Sequence, residues 1–157
     1  MSVNTHFEGW LFNQLLKFRA MKRMLFFILF LNMTPVVLAQ DVEVIIKNLS
    51  DKPGTLYVGF FNSEKTFLKK PVRGEKVAAH PGMVKAVIRN VPAGEYAISI
   101  FHDVNGNEKL DRNFIGIPKE GVGSSNDAAG SFGPPSYDKA KFTVPRSLPV
   151  SVTMKYY

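Results

Sequence analysis

From Gln40 onward the chain is governed by a period of two, in which successive side chains alternate between the two faces of a strand. In "DVEVIIKNL" that period places Val42, Val44 and Ile46 on one face. "MVKAVIRN" sets Val84, Ala86 and Ile88 against Lys85 and Arg89, the mark of a half-buried strand. After the turn Pro92-Ala93-Gly94 a strand from Glu95 to His102 carries Tyr96, Ile98 and Ile100 together. "AKFTV" and "VSVTMKYY" complete the set, the last with Val150, Val152, Met154 and Tyr156 opposite Ser151, Thr153 and Lys155. "GTLYVGFFN", which follows the turn signal "SDKPG", is instead a continuous apolar run, as expected of a strand buried on both faces.

No amphipathic segment long enough for a helix lies between these strands, which disfavours an α/β fold. The expected architecture is an all-β, two-layer antiparallel sandwich, immunoglobulin-like or prealbumin-like, of about seven strands. The one helical turn expected is "SEKTFLKK", with Ser63 as its cap. Residues 40–157 form a single domain on this reading.

Residues 1–39 read differently. Lys22 and Arg23 precede an apolar run from Met24 to Leu31, and Val37-Leu38-Ala39 is a small-residue cleavage pattern, which together describe a signal peptide. Asn32, Thr34 and Pro35 interrupt the run well short of the roughly 18 apolar residues that a spanning helix needs. Cleavage is expected after Ala39, with Met21 as the start or with residues 1–20 as an N-terminal extension. The mature product is then periplasmic or extracellular, without a stable membrane anchor. The formal charge of +7 falls to +4 over residues 40–157, with 16 Lys and Arg against 12 Asp and Glu, which is no nucleic-acid footprint. The absence of cysteine removes disulfides, thiolate nucleophiles and Cys-based zinc sites.

Two connections exceed what a sandwich needs. Asn62 to Gly82 carries Lys65, Lys69, Lys70, Arg73 and Lys76 against Glu64 and Glu75, read as a solvated loop or as a surface for anions. Asp103 to Lys139 holds six of the twelve glycines, and its 37 residues far exceed the length at which structureless loops become rare.

The second connection opens on "DVNGNEKLD", in which Asp103, Asn105, Asn107, the Lys109 carbonyl and Asp111 fall at alternate positions, as in a calcium loop. The match fails where a loop of that kind has glycine, here Glu108, and where it closes on a bidentate Glu, here Phe114. Glu120 is the candidate replacement. The competing account needs no ion, because Asp and Asn accept backbone N–H bonds two residues on and form Asx-turns. Calcium is therefore the one cofactor to test. His102 and Glu120, with Ser124 or Ser125, raise a hydrolase reading. Alternation, however, turns His102 and Asp103 to opposite faces, and no nucleophile, zinc or phosphate motif accompanies them. His102, Asn126, Phe132 and Tyr137 make up a candidate ligand surface for a sugar or a peptide.

The string "VPAGEYAISIFHDVNGNEKLDRNFIGIPKEGVGSSN" followed by "FGPPSYDKAKF" resembles the domain of unknown function 2141 family of secreted bacterial proteins. The resemblance runs from about Asp41 to Tyr157. It implies a signal peptide and a small β-sandwich, and it brings no activity, substrate or catalytic residue. "NVPAGEY" is also similar to a strand start in prealbumin-like and carboxypeptidase-regulatory-like sandwiches, which bears on architecture alone. The functional expectation is an exported, non-enzymatic binding or structural module for an extracytoplasmic protein or carbohydrate. Its alternatives are a calcium-stabilised form of that module and a hydrolase built on His102, Asp103 and Glu120.

Overall fold

A computed structural model describes residues 39–130 and 133–157, together with Lys17. The signal peptide, its start at Met21 and Phe132 therefore lie outside the described residues. Eight strands are formed: β1 (Ala39–Leu49), β2 (Thr55–Phe61), β3 (Arg73–Ala78), β4 (Gly82–Pro92), β5 (Gly94–Asp103), β6 (Gly121–Ser124), β7 (Phe142–Val144) and β8 (Val150–Thr153).

They assemble into two sheets. One has the order β4-β1-β8 and the other β3-β2-β5-β6, with β7 also paired to β5. β6 and β7 share one edge of β5, β6 opposite Ser99–His102 and β7 opposite Gly94–Tyr96. Every pairing is antiparallel except that of β8 with β1, which is parallel. The expected all-β sandwich is thus present, with one parallel pair inside it.

The period-two pattern accounts for the core. Val42, Val44 and Ile46 of β1, Val84, Ala86 and Ile88 of β4, and Val150 and Val152 of β8 pack in one cluster with Leu56, Val58 and Phe60 of β2 and Ile98 and Ile100 of β5. Phe60 sits among Tyr96 and Phe142 in edge-to-face contacts at 6.2 and 6.3 Å, the arrangement aromatic quadrupoles favour. A second, smaller cluster of Phe61, Phe67, Ala97, Tyr137 and Ala140 lies on the other side of the five-stranded sheet, because Phe61 and Ala97 follow the opposite parity to Phe60 and Ile98.

Four local expectations are corrected. β2 is not buried on both faces: Leu56, Val58 and Phe60 are buried, whereas Thr55, Tyr57 and Gly59 are half-buried, since the second cluster covers only the Phe61 end. "SEKTFLKK" forms successive turns rather than a helix, with the Ser63 carbonyl accepting from Thr66 N and Phe67 N, and Leu68 at φ 60° ending the run. The first long connection is not merely a loop. It contains β3, an edge strand whose residues "RGEKVA" are nearly all exposed and so show no apolar alternation. The second contains β6, the three-residue turn Ser125–Asp127 and a single-turn helix, Tyr137–Ala140.

The C-terminal segment ties the two sheets together at one corner. Val122 N donates to Lys155 O at 2.9 Å and Lys155 N to Val122 O at 2.8 Å, directly after β8 has finished pairing with β1.

Phe60→Ala should cost about 3–5 kcal/mol, the range for emptying a buried aromatic site. Val87→Ala on the exposed face of β4 should stay within about 0.5 kcal/mol. Urea unfolding of both variants checks this, and equal losses would contradict the assigned facing of the strands.

Candidate functional site

The end of β5 carries two buried polar side chains that alternation sends in opposite directions. Asp103, 1% exposed, points into the loop that follows and organises it. Its Oδ1 accepts Gly106 N at 2.7 Å and Asn107 N at 3.2 Å, and its Oδ2 accepts Glu108 N at 2.9 Å. Three backbone donors on one carboxylate are strong, charge-assisted bonds. The chain turns tightly enough to deliver them because Gly106 and Glu108 both adopt left-handed backbone, at φ 75° and 61°.

The remaining Asx residues continue the scheme. Asn105 Oδ1 accepts Asn107 N and Asn107 Oδ1 accepts Lys109 N, while both side-chain amides donate to Asp111 Oδ2 at 2.7 and 2.8 Å. Glu120, also buried, closes the far end: its two oxygens accept Val104 N and Asp111 N at 3.1 and 3.2 Å. The structure thus brings Asp103, Asn105, Asn107, Asp111 and Glu120 into one hydrogen-bonded network, which Lys109 joins through its N–H rather than its carbonyl. In this arrangement the side-chain oxygens already accept N–H groups, and two amide nitrogens, which cannot ligate a cation, face Asp111. Leaving aside the amide and backbone oxygens that calcium also takes, no three His, Asp or Glu side chains among the described residues are grouped so as to hold a metal ion.

His102 faces the opposite way and is fully buried. Its Nδ1 lies 3.0 Å from the Tyr156 hydroxyl, which also accepts Ser50 N at 3.2 Å, and its Nε2 has no partner. A Cβ on Gly54 would stand 2.7 Å from that nitrogen, so only glycine fits beside it. Burial lowers the imidazole pKa, with nearby Lys52 acting the same way and Glu120 and Asp103 opposing. The serines of the hydrolase reading are elsewhere. Ser125 Oγ accepts Ile98 N and donates to Ala140 O, four residues along β5 from His102, or about 13 Å at the rise of a strand. The structure does not gather a nucleophile, His102 and Glu120 into one place.

The candidate ligand surface is also dispersed. Tyr137 is buried in the second cluster, its hydroxyl donating to Glu95 O at 3.3 Å, and burial raises its pKa. Asn126, at φ 58°, donates to Lys141 O at 2.8 Å and fastens the turn to the strand leading into β7. With His102 and Tyr137 both in the interior and Asn126 exposed, the described members of the set form no shared face.

A different surface is concave. On the outer face of the five-stranded sheet the registers align Lys76, Tyr57, Phe101 and Val122 in one row across β3, β2, β5 and β6. The Tyr57 and Phe101 rings stack at 4.7 Å and 4°, and Lys76 Nζ stands 5.0 Å from the centre of the Tyr57 ring. The adjacent row is Gly74, Gly59 and Ser99, all of them small. Beyond it stand Phe61, Leu68 and Pro71. The result is a groove of about 490 Å³ that crosses the strands, with Lys69 and Arg112 at its margins. Lys76 is engaged by Glu108 at 2.9 Å, and that bond raises its pKa. Gly59, an interior strand glycine in "TLYVGFF", was the sequence signal for this floor. A second cavity of about 310 Å³, lined in part by Lys52, Asp111, Lys119 and Glu120, lies against the Asx loop.

Residues 44–151 match a family model described as "Uncharacterized protein conserved in bacteria (DUF2141)". No curated protein and no solved structure matches the chain.

Asp103→Ala should destabilise the fold by about 1–3 kcal/mol and speed amide exchange at Gly106, Asn107 and Glu108. Unchanged protection there would contradict the assigned bonds. For His102, the unfolded chain takes up a proton near its ordinary pKa of 6.5 while the buried ring resists it. Stability present above that pH should therefore fall as pH drops through it toward the lower folded pKa. Thermal midpoints from about pH 7.5 to 5 should slope less steeply in His102→Gln than in the parent. Parallel slopes would remove His102 as the cause.

Proposed function

The chain belongs to the DUF2141 family of uncharacterized proteins conserved in bacteria, and from that membership, which brings no activity with it, we propose a non-enzymatic binding module whose ligand lies in the groove across the outer sheet. The observation that carries this reading is the small-residue row Gly74, Gly59 and Ser99 between two apolar walls. A sheet face that serves stability alone gains from filling such a row with β-branched side chains, and here it is left open.

The chemistry of the groove describes its occupant. Tyr57, Phe101, Phe61 and Leu68 offer apolar surface, Ser99 a hydroxyl, and Lys69 and Arg112 positive charge at the margins. An extended segment of peptide or carbohydrate with apolar faces and at least one anionic group satisfies all three. The reading needs no ion, since the loop beside the groove is held by its own hydrogen bonds. Export rests on the signal-peptide pattern of residues 21–39 and makes the ligand an extracytoplasmic one.

A Cβ at Gly74 meets nothing closer than Val58 O at 3.8 Å, so a side chain can start there in open space, and Gly74→Leu is the variant chosen to fill the groove. Ligands selected from peptide and acidic-glycan arrays should bind this variant at least about tenfold more weakly, at an unchanged melting temperature. Their affinity for the parent should fall as salt rises, because exposed charges are screened. Undiminished binding to the filled groove would refute this reading.

A further inference from the structure

The turn from Arg112 to Pro118 presents its apolar side chains to solvent. Phe114 is 99% exposed, Ile115 65% and Ile117 40%. This is not a loosely held segment. Asn113 Oδ1 accepts Ile115 N at 3.1 Å and Ile117 N at 2.9 Å, Asn113 N donates to Ile117 O, and Gly116 N donates to Asn113 O. Arg112 and Pro118 form an isolated bridge beneath the turn, and the Arg112 guanidinium donates to Gly116 O at 3.1 Å. The network therefore fixes apolar side chains in water at a projecting tip, which a monomer has no energetic reason to do.

We propose that this tip docks reversibly on an anionic bilayer, with Phe114 and Ile115 entering the interface. Charge supports a lipid surface: residues 109–119 contain Lys109, Arg112 and Lys119 and a single carboxylate, Asp111, whose Oδ2 already accepts two amides. Apolar side chains flanked in sequence by cations are what an anionic lipid headgroup region accommodates. Size supports it as well. A stable protein interface takes about 800 Å² from each partner, and three side chains on a narrow turn fall short of that. Insertion into a bilayer asks only for a few apolar side chains and the cations around them. Such docking is distinct from spanning, and among the described residues no helix is long and apolar enough to cross a membrane. The proposal stands independently of any ligand in the groove.

Fluorescence in the full-length chain tests it. With Trp10→Phe as background, Phe114→Trp puts the sole indole at the tip. Its emission should shift to the blue with phosphatidylglycerol vesicles, be quenched by brominated lipid, and stay unmoved by phosphatidylcholine vesicles. Lys109→Glu combined with Lys119→Glu, which leaves the Arg112 bond to Gly116 O intact, should weaken this response at least about tenfold, given roughly fivefold per cation near an anionic surface. Phe114 is exposed, so its replacement should leave the melting temperature unchanged. An indole at position 114 that ignores anionic vesicles overturns the proposal, even if the chain sediments with them through the apolar run Met24–Leu31. Equal responses to both lipids would overturn its electrostatic half.

Discussion

The antiparallel register of β2 with β5, from Thr55 opposite Asp103 to Phe61 opposite Ala97, is the constraint on which the rest of the molecule depends. A slip by one residue would exchange the two faces of the slipping strand. Either Leu56, Val58 and Phe60 or Ile98, Ile100 and His102 would leave the interior, and the row of Gly59 with Ser99 would no longer form. The same register sets Tyr57 against Phe101 as a stacked cross-strand pair, a contact that itself favours this alignment. Core, groove wall and groove floor are therefore products of one pairing.

β5 also delivers the loop. Because it runs through the middle of its sheet, with β2 on one edge and β6 and β7 on the other, the Asp103 carboxylate stands at the end of a strand paired on both sides. Glu120 stands immediately before β6, which pairs with the same strand. The two carboxylates replace the small apolar core that a loop of this length would otherwise need. The Lys76–Glu108 pair then joins the loop to β3, so the edge strand and the loop meet at the rim of the groove.

Much of this was written in the chain in a form that periodicity can read. The strands with one clean buried face, such as Val42, Val44, Ile46 and Val84, Ala86, Ile88, announced themselves because burial on one side is what alternation records. β3 was hidden for the converse reason: an edge strand with both faces wet has no apolar side to reveal. β6 was hidden because "GVGS" is too short and glycine-rich to look like a strand, although its glycines are required by Tyr156, Val152 and Met154 pressed against them. The Asx loop was legible in its spacing, since Asn and Asp bond locally, whereas the burial of Tyr137 depends on Phe61 and Phe67, far away in sequence. The groove was the least legible element, because it is assembled across strands, from Tyr57, Gly59 and Phe61 of β2, Gly74 and Lys76 of β3, and Ser99 and Phe101 of β5.

The parallel pairing of β8 with β1 has a consequence for the order of events in the life of the chain. The bond from the Asn48 side chain to Met154 O spans 106 residues, and the first strand meets its second neighbour only at the far terminus. A polypeptide emerging from the ribosome cannot complete this sheet until residues 150–153 have been added, because closing so long a loop precedes the contacts that compensate for it. Until residues 150–153 are present, β1 keeps one edge unpaired, although its antiparallel partner β4 has long been made.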